Sequence, residues 1–137
     1  MAGSAPNVIV GIGIDLVDIA RMRRLLERKG ERAMVRMFTE GERDYARLHP
    51  EPVRQLAARA AAKEAAYKAL SGNDLARAIG WRELEVESRR GHSPELLLHG
   101  RALERMRELG VTRVLLSLTH TELSAAAVVI AERDPPE

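Results

Sequence analysis

Apolar and polar positions along the chain follow two different periods, and the first segments show both. Residues Val8 to Ile14 (VIVGIGI) form a β-branched apolar run with two glycines, which predicts a buried strand that another backbone approaches closely. Asp15 follows this run directly. Apolar residues then recur at helical spacing, which predicts a helix that starts near Val17 and ends at Gly30. These helical positions are Val17, Ile19, Met22, Leu25 and Leu26.

The middle of the chain predicts two further helices. Thr39 and Glu42 have the spacing of a capping box, which predicts a short helix that runs toward Leu48. A long helix is expected from Pro52 to about Ser71, because eight alanines between residues 57 and 69 give this segment a high helix propensity.

Apolar and polar residues alternate, as in β-strands, in the second half of the chain. WRELEVES from Trp81 and the later segment ELLLHG predict a hairpin, with the turn at residues 90–94. A helix over Ala102 to Leu109 follows, and RVLLSLTHT and SAAAVVIAE predict a closing hairpin. A chain of 137 residues fits one domain, so we expect a single domain over 1–137 with flexible tails at 1–6 and 134–137.

Composition narrows the class of protein. Aromatic residues make up 3% of the chain, which argues against a stacking platform for single-stranded nucleic acid. The formal net charge is +2, so a nucleic-acid partner is not required. The absence of cysteine excludes disulfides, thiolate metal sites and cysteine nucleophiles. No segment has the length of a signal or membrane-spanning sequence, so we expect a soluble cytoplasmic protein without a membrane partner.

The distribution of lysine points to chemistry in the long helix. The chain has nineteen arginines and three lysines, and two of these lysines, Lys63 and Lys68, lie in this helix. Glu64 precedes Lys68 by one turn, so the two side chains share a face of the helix. There they could bind one anionic ligand together, Lys68 directly and the Glu64 carboxylate through a metal ion. The alternative is an ordinary surface ion pair, which contributes only about 0.2 to 0.5 kcal/mol.

Asp15 is a candidate metal ligand at the end of the first predicted strand. The preceding glycines resemble the start of a dinucleotide-binding fingerprint, but Leu16 stands where the third glycine is needed, which excludes that site. A carboxylate at a strand end can instead bind Mg²⁺, which takes one or two protein carboxylates and completes its shell with water and phosphate oxygens. An aspartate in an ordinary turn is the alternative.

Other charged residues each allow two interpretations. His120 lies where a strand enters the last turn, so it is either a turn histidine held by neighbouring threonines or a donor to a phosphate. The first helix carries Arg21, Arg23, Arg24 and Arg28, which form either a solvated face or a docking surface for an acidic partner.

Three separated segments together resemble one family. GIGIDLVDIARM, LAARAAAKEAAYKAL and LSLTHTELSAAAVVI are similar to the holo-acyl-carrier-protein synthases, the small bacterial class of phosphopantetheinyl transferases. The most specific element is an aspartate after GIGI combined with the later KEAxxKA. The resemblance implies an α+β fold with an antiparallel sheet packed against the long alanine-rich helix. It also implies a homotrimer with active sites between subunits, and transfer of 4′-phosphopantetheine from coenzyme A to a serine of an acyl carrier protein.

The resemblance also implies roles for individual residues. Asp15 and Glu64 correspond to the Mg²⁺ ligands, Lys68 to the lysine that contacts the reacting phosphate, and Arg59 and His120 to contributors to the coenzyme pocket. Arg21, with Arg24 and Arg28, corresponds to the surface that binds the acidic carrier protein. The base that accepts the serine proton stays open between a metal-bound water and a carboxylate.

The chain departs from the family pattern in three places. Ala60 stands where an aromatic residue is usual, Ser71 to Asn73 replace a glycine-rich GTG segment, and Ser93 replaces a basic residue. Two other classes of function stay open: a non-catalytic oligomer that binds coenzyme A or a nucleotide, and a basic adaptor for acidic proteins or RNA.

Overall fold

The computed structural model describes residues 5–136, which form five strands and five helices in mixed order. The strands are β1 (Val8–Asp18), β2 (Leu84–Glu87), β3 (Glu95–Leu98), β4 (Arg113–His120) and β5 (Ser124–Arg133). The helices are α1 (Ile19–Met37), α2 (Glu40–Arg47), α3 (Pro52–Ala69), α4 (Asp74–Arg77) and α5 (Gly100–Glu108). Among the described residues, no helix is both long and apolar enough to cross a bilayer. Residues 1–4 and 137 of the predicted tails lie outside this range.

The strands form two antiparallel sheets. The larger sheet has the order β1-β5-β4, with Asp15 paired to Ala127 and His120 paired to Ala125. The smaller sheet is the β2-β3 hairpin, in which Leu84 pairs with Leu98. Both predicted hairpins are therefore confirmed.

Helix α3 lies at the centre of the molecule and explains the glycines of β1. It contacts both sheets as well as α1 and α2, and alanines are buried on most of its circumference. A Cβ atom added at Gly11 or Gly13 would overlap the carbonyl oxygen of Ala69 or Ala65, respectively. The close approach of a second backbone to this strand is therefore confirmed, and the alanines of α3 make it possible.

The structure corrects the predicted start of the first helix. β1 continues to Asp18, because Val17 and Asp18 pair with β5 and this pairing overrides the local helical spacing. Asp18 then caps α1 by accepting hydrogen bonds from the backbone N–H groups of Ala20 and Arg21. The predicted end of the first helical segment at Gly30 is confirmed, because Gly30 adopts a non-helical backbone (φ 62°, ψ −145°), and a second helical segment of α1 then continues to Met37.

Two smaller elements also differ from the predictions. Trp81–Glu83 form a 3-10 turn before β2, so the strand starts three residues later than expected. Asn73 follows the long helix and is also the N-cap of α4, a helix that was not predicted. Its side-chain oxygen accepts a hydrogen bond from the backbone N–H of Ala76. The capping box of Thr39 and Glu42 is confirmed at the start of α2.

One face of the larger sheet is covered by α3, and the opposite face is exposed and apolar. Because side chains alternate along a strand, Ile12, between the two glycines of β1, and every second residue after it point away from α3. Ile12, Ile14 and Leu16 are accordingly 64% to 69% exposed. Leu115 on β4 adds to this exposed face.

Candidate active site

A cleft between β1, α1 and α3 contains the two predicted metal-binding carboxylates. β1 directs Asp15 toward α3, on which Glu64 lies, and both residues line a cleft of about 990 Å³. Partial burial raises the pKa of Glu64, and the charge of Asp15 raises it further. The two carboxylates, 49 positions apart in sequence, are therefore close enough to repel each other.

Lys68 bridges the helix to the strand at this cleft. Its Nζ donates to Asp15 Oδ1 at 3.1 Å and to the carbonyl oxygen of Ile14 at 2.9 Å. The charge of Lys68 also partly offsets the raised pKa of Glu64, so the ammonium lies near both carboxylates. The simple surface ion pair between Glu64 and Lys68 is not formed among the described residues, because the lysine binds Asp15.

The donor set of the cleft fits a hard divalent cation that also binds a phosphate. Asp15 and Glu64 offer carboxylate oxygens, the ligands that Mg²⁺ prefers, and leave most of its shell for water and substrate oxygens. Across residues 5–136, no group of three or more His, Asp or Glu side chains forms a self-sufficient metal site. A metal held by these two carboxylates would therefore complete its shell with water or with substrate oxygens.

The arginines of α1 form one wall of the same cleft. Arg21, Arg24 and Arg28 line it, and all three are exposed. None of them forms an ion pair within the described part of the chain, whereas Arg23 contacts Glu51 at 3.8 Å. Their charges are therefore available to a partner, as a docking surface requires.

This geometry agrees with the sequence comparison. Residues 11–128 match the sequence profile of the 4′-phosphopantetheinyl transferase superfamily. The chain belongs to this superfamily. The holo-[acyl-carrier-protein] synthase of Solibacter usitatus is 40% identical over 125 residues, which cover 91% of this chain and 99% of that relative. The predicted family and the predicted enzyme class, phosphopantetheinyl transferase, are thereby confirmed.

Solved structures of phosphopantetheinyl transferases share the fold. The holo-[acyl-carrier-protein] synthase of Neisseria meningitidis superposes with a TM-score of 0.80 at 30% identity, over 92% of this chain and all of that chain. The synthase of Bacillus anthracis, in complex with CoA (3′,5′-ADP), gives 0.73 at 30% identity, over 92% and 98% of the two chains. The predicted α+β fold with antiparallel strands is confirmed.

The second lysine of the transferase helix has a different environment from Lys68. Lys63 is 1% exposed, and its Nζ donates to Glu42 Oε1, Trp81 O and Leu84 O at 2.8, 2.9 and 2.6 Å. Every proton of this ammonium is thus engaged inside the protein. Of the two lysines that indicated chemistry in the sequence, Lys68 is the one that pairs with a carboxylate of the cleft lining, Asp15.

Arg59, predicted to contribute to the coenzyme pocket of the transferase, is buried on another side of α3. Its guanidinium donates to Ser88 Oγ at 2.6 Å and to Gln55 O at 3.2 Å, and it lies 4.3 Å from the ring centre of Tyr45. Burial lowers the pKa of Arg59, partly offset by Tyr45 and Glu42. Among the described residues, the lining of the carboxylate cleft does not include Arg59.

His120, the other predicted coenzyme residue, is exposed at the end of β4. In the described residues it does not line the cleft, and it is separated from β1 by the intervening strand β5. Within one chain the structure therefore brings together Asp15, Glu64 and Lys68 but does not bring His120 to them.

Sequence reasoning missed Trp81 and the apolar part of the cleft. Trp81, Met22 and Leu25 line the cleft together with Ala60. Ala60 lies one helical turn before Glu64, so helical spacing alone could have placed it there. The chain's single tryptophan gave no comparable signal, because the 3-10 turn that carries it was predicted as a strand.

Proposed function

We propose that this enzyme transfers 4′-phosphopantetheine from coenzyme A to a serine of an apo acyl carrier protein in an Mg²⁺-dependent reaction, releasing adenosine 3′,5′-bisphosphate. The product would serve fatty acid or polyketide synthesis in the cytoplasm. The observation that carries the proposal is that Asp15 and Glu64 line one cleft and Lys68 pairs with Asp15, in a chain of this family. The names of its relatives support the same reaction.

The reaction forms one bond and breaks one bond at the same phosphorus. The serine oxygen bonds to the phosphorus that carries pantetheine, the bond from that phosphorus to the bridging oxygen breaks, and the serine proton passes to a base. Positioning and electrostatic stabilisation dominate phosphoryl transfer. Asp15 and Glu64 would hold Mg²⁺, which would neutralise charge on the phosphate oxygens. Lys68 would stabilise the charge on the leaving oxygen.

Two surfaces would complete the reaction. Arg21, Arg24 and Arg28 would bind the acidic carrier protein next to the cleft, which would speed encounter and make association sensitive to salt. Arg59 and His120 are proposed as contributors to the coenzyme pocket, as the family resemblance implies. Because neither lines the cleft of its own chain, we place this pocket between subunits.

A homotrimer is the proposed assembly. Its support is the exposed apolar face of the larger sheet, since contiguous apolar surface of this kind is typical of interaction sites. An aspartate at this face, Leu115→Asp, should reduce the mass measured by light scattering from trimer to monomer. A wild-type protein that is monomeric at micromolar concentration would contradict the assembly.

Intact mass of a purified apo carrier protein tests the reaction directly. After incubation with the enzyme, coenzyme A and Mg²⁺, the carrier should gain one phosphopantetheine, and EDTA should abolish the gain. No gain with several carriers, from protein that binds coenzyme A, would favour the non-catalytic binding oligomer. No transfer by the wild-type protein, together with carrier binding that survives Asp15→Ala and Glu64→Ala but weakens steeply with salt, would favour the adaptor.

A further inference from the structure

Arg105 of α5 is a buried charged side chain that the proposed reaction does not use. It is 8% exposed, and each of its guanidinium nitrogens donates to a different acceptor. Nε donates to Leu70 O at 2.8 Å, and Nη2 donates to Ser71 O at 3.0 Å. Nη1 donates to Glu108 Oε1 at 3.1 Å. Because a buried charge is costly unless it is paired and hydrogen-bonded, this arrangement commits Arg105 to the segment that follows α3.

The backbone acceptors of Arg105 lie at the C-terminus of α3, where carbonyl groups have no partner within the helix. An arginine at this end satisfies such carbonyl oxygens and also interacts favourably with the helix dipole. Lys68 belongs to the last turn of α3, which ends at Ala69. Arg105 therefore fixes the end of the helix from which the Lys68 side chain extends to Asp15.

Ser71 connects Arg105 to Lys68 itself. Its Oγ donates to the carbonyl oxygen of Lys68 at 2.8 Å, while its own carbonyl oxygen accepts from Arg105. On the side of β1, the carbonyl group of Ala69 lies so close to Gly11 that a Cβ atom at this glycine would overlap it. The turn that carries Lys68 is thus held by β1 and by α5.

The same contacts involve the segment in which this chain departs from the family pattern, Ser71 to Asn73 in place of GTG. Glu108 Oε1, which accepts from Arg105, also accepts from Asn73 Nδ2 at 3.0 Å. The hydrogen bonds from Asn73 and Arg105 lower the pKa of Glu108. A Cβ atom at Gly72, whose φ is 135°, would lie 3.0 Å from Arg105 Nη2. The segment that replaces GTG is therefore matched to α5, although among the described residues none of α5 lines the carboxylate cleft.

The geometry points to Arg105 as a positioning residue for Lys68. In this inference, which rests on the proposed function, Arg105 holds the last turn of α3 so that the Lys68 ammonium stays beside Asp15. Lys68 is half-exposed and its side chain is flexible, so its backbone is the part that the protein can fix. A displacement of about 1 Å in a catalytic group can cost about 100-fold in rate, so a fixed backbone at Lys68 has a catalytic consequence.

A double-mutant cycle for kcat tests the inference, because it separates an effect through Lys68 from a general loss of structure. With saturating carrier and coenzyme A, Arg105→Met should reduce kcat about 10-fold to 100-fold in the wild-type background, because the ammonium is then less well placed. In the Lys68→Met background the same change should reduce kcat by less than about twofold, since the group through which it acts is already absent. The matched control Arg107→Met removes an exposed cation of α5 and should leave kcat within about twofold in both backgrounds.

A spectroscopic measurement follows Lys68 without turnover. The chain has three lysines, so protein labelled with ¹³C at lysine Cε gives one NMR signal set for each, and Lys68→Met identifies that of Lys68. Arg105→Met and Ser71→Ala should each shift the Lys68 signal, whereas Arg107→Met should not. Ser71 is exposed, so Ser71→Ala tests the same connection even if Arg105→Met fails to fold.

Two results would overturn the inference. Equal losses of kcat from Arg105→Met in the two backgrounds would show that Arg105 supports the fold and does not act through Lys68. A Lys68 signal that is unchanged in both Arg105→Met and Ser71→Ala would exclude the connection directly. Failure of the proposed function is distinct, since it is seen as a wild-type enzyme that transfers nothing or as full turnover by Lys68→Met, while the NMR signals still report whether Arg105 positions this lysine.

Discussion

Two lysines of α3 form ion pairs in contrasting environments. The pair of Lys63 with Glu42 is buried, with the two side chains 1% and 0% exposed, and it also binds backbone carbonyls and N–H groups. The pair of Lys68 with Asp15 lies at the cleft, with side chains 52% and 20% exposed. Five positions separate the lysines on the helix, so they point about 140° apart.

Environment, and not residue type, separates the buried pair from the pair beside the cleft. Burial lowers the pKa of Lys63, and the charge of Glu42 partly offsets this. Glu42 also accepts from the N–H groups of Thr39 and Val86, so this pair ties α2 and β2 to α3. Lys68 remains half-exposed, so its ammonium can leave Asp15 for a substrate at a small cost.

The largest expected difference between the two lysines is in their contribution to the stability of the protein. Lys63→Met leaves the Glu42 carboxylate buried without its cation, so the free energy of unfolding should fall by about 3 to 5 kcal/mol. Lys68→Met should change it by less than about 1 kcal/mol, because that pair is exposed to solvent. Urea denaturation followed by circular dichroism measures both. Equal losses in the two variants would show that burial does not separate them.

Catalysis should show the reverse order. Lys68→Met should reduce kcat about 100-fold to 1000-fold at saturating carrier and coenzyme A, the range for loss of one group that stabilises transition-state charge. The control Arg107→Met removes an exposed cation from α5 and should keep kcat within about twofold. Intact-mass assays give both rates. Normal turnover by Lys68→Met would remove this residue from the proposed chemistry.

Sequence patterns predicted the parts of the fold that depend on local rules. The capping box at Thr39, the close packing at Gly11 and Gly13, and the closing hairpin follow from short motifs, and all three are confirmed. The start of α1 was wrong because the choice between strand and helix at Val17 depends on pairing with β5, a contact distant in sequence.

The candidate site was predictable where it rests on helical spacing and family resemblance. Helical spacing placed Glu64 and Lys68 on one side of α3, but it did not reveal that Lys68 binds Asp15 on β1. The family resemblance singled out Lys68, but the lysine count and helical spacing did not show that Lys63 is buried, since its burial depends on the packing of α2 and the segment around Trp81 against α3.

Glu64 should show a conflict between stability and activity. Partial burial and the charge of Asp15 raise its pKa, so the charged form costs stability at any pH above the raised value. Glu64→Gln should therefore be slightly more stable than wild type at pH 8, by less than about 1 kcal/mol. As pH falls through the raised pKa, protonation of Glu64 relieves the cost in the wild type, and the difference should vanish.

The same variant should lose at least about tenfold in turnover, because a neutral amide is a weaker Mg²⁺ ligand than a carboxylate. Thermal unfolding over a pH series from 8 down to below the ordinary glutamate pKa, next to activity at pH 8, measures both effects, with Glu104→Gln on α5 as the control of equal charge change. A Glu64→Gln protein that is less stable than wild type at pH 8 would contradict a strained carboxylate at this position.

The smallest expected effect is on the affinity of the cleft for a divalent metal ion. In the structure Lys68 neutralises Asp15, so a divalent cation that binds Asp15 must compete with the ammonium. Lys68→Met should therefore tighten Mn²⁺ binding, measured by calorimetry without coenzyme A, by up to about fivefold, the equivalent of an exposed ion pair. Lys68→Arg keeps the charge and should bind Mn²⁺ as the wild type does, as should Arg107→Met. Weaker Mn²⁺ binding by Lys68→Met would instead mean that the lysine positions Asp15 for the metal. The contrast with Lys63 would then lie in burial alone, because both lysines would hold a carboxylate in place.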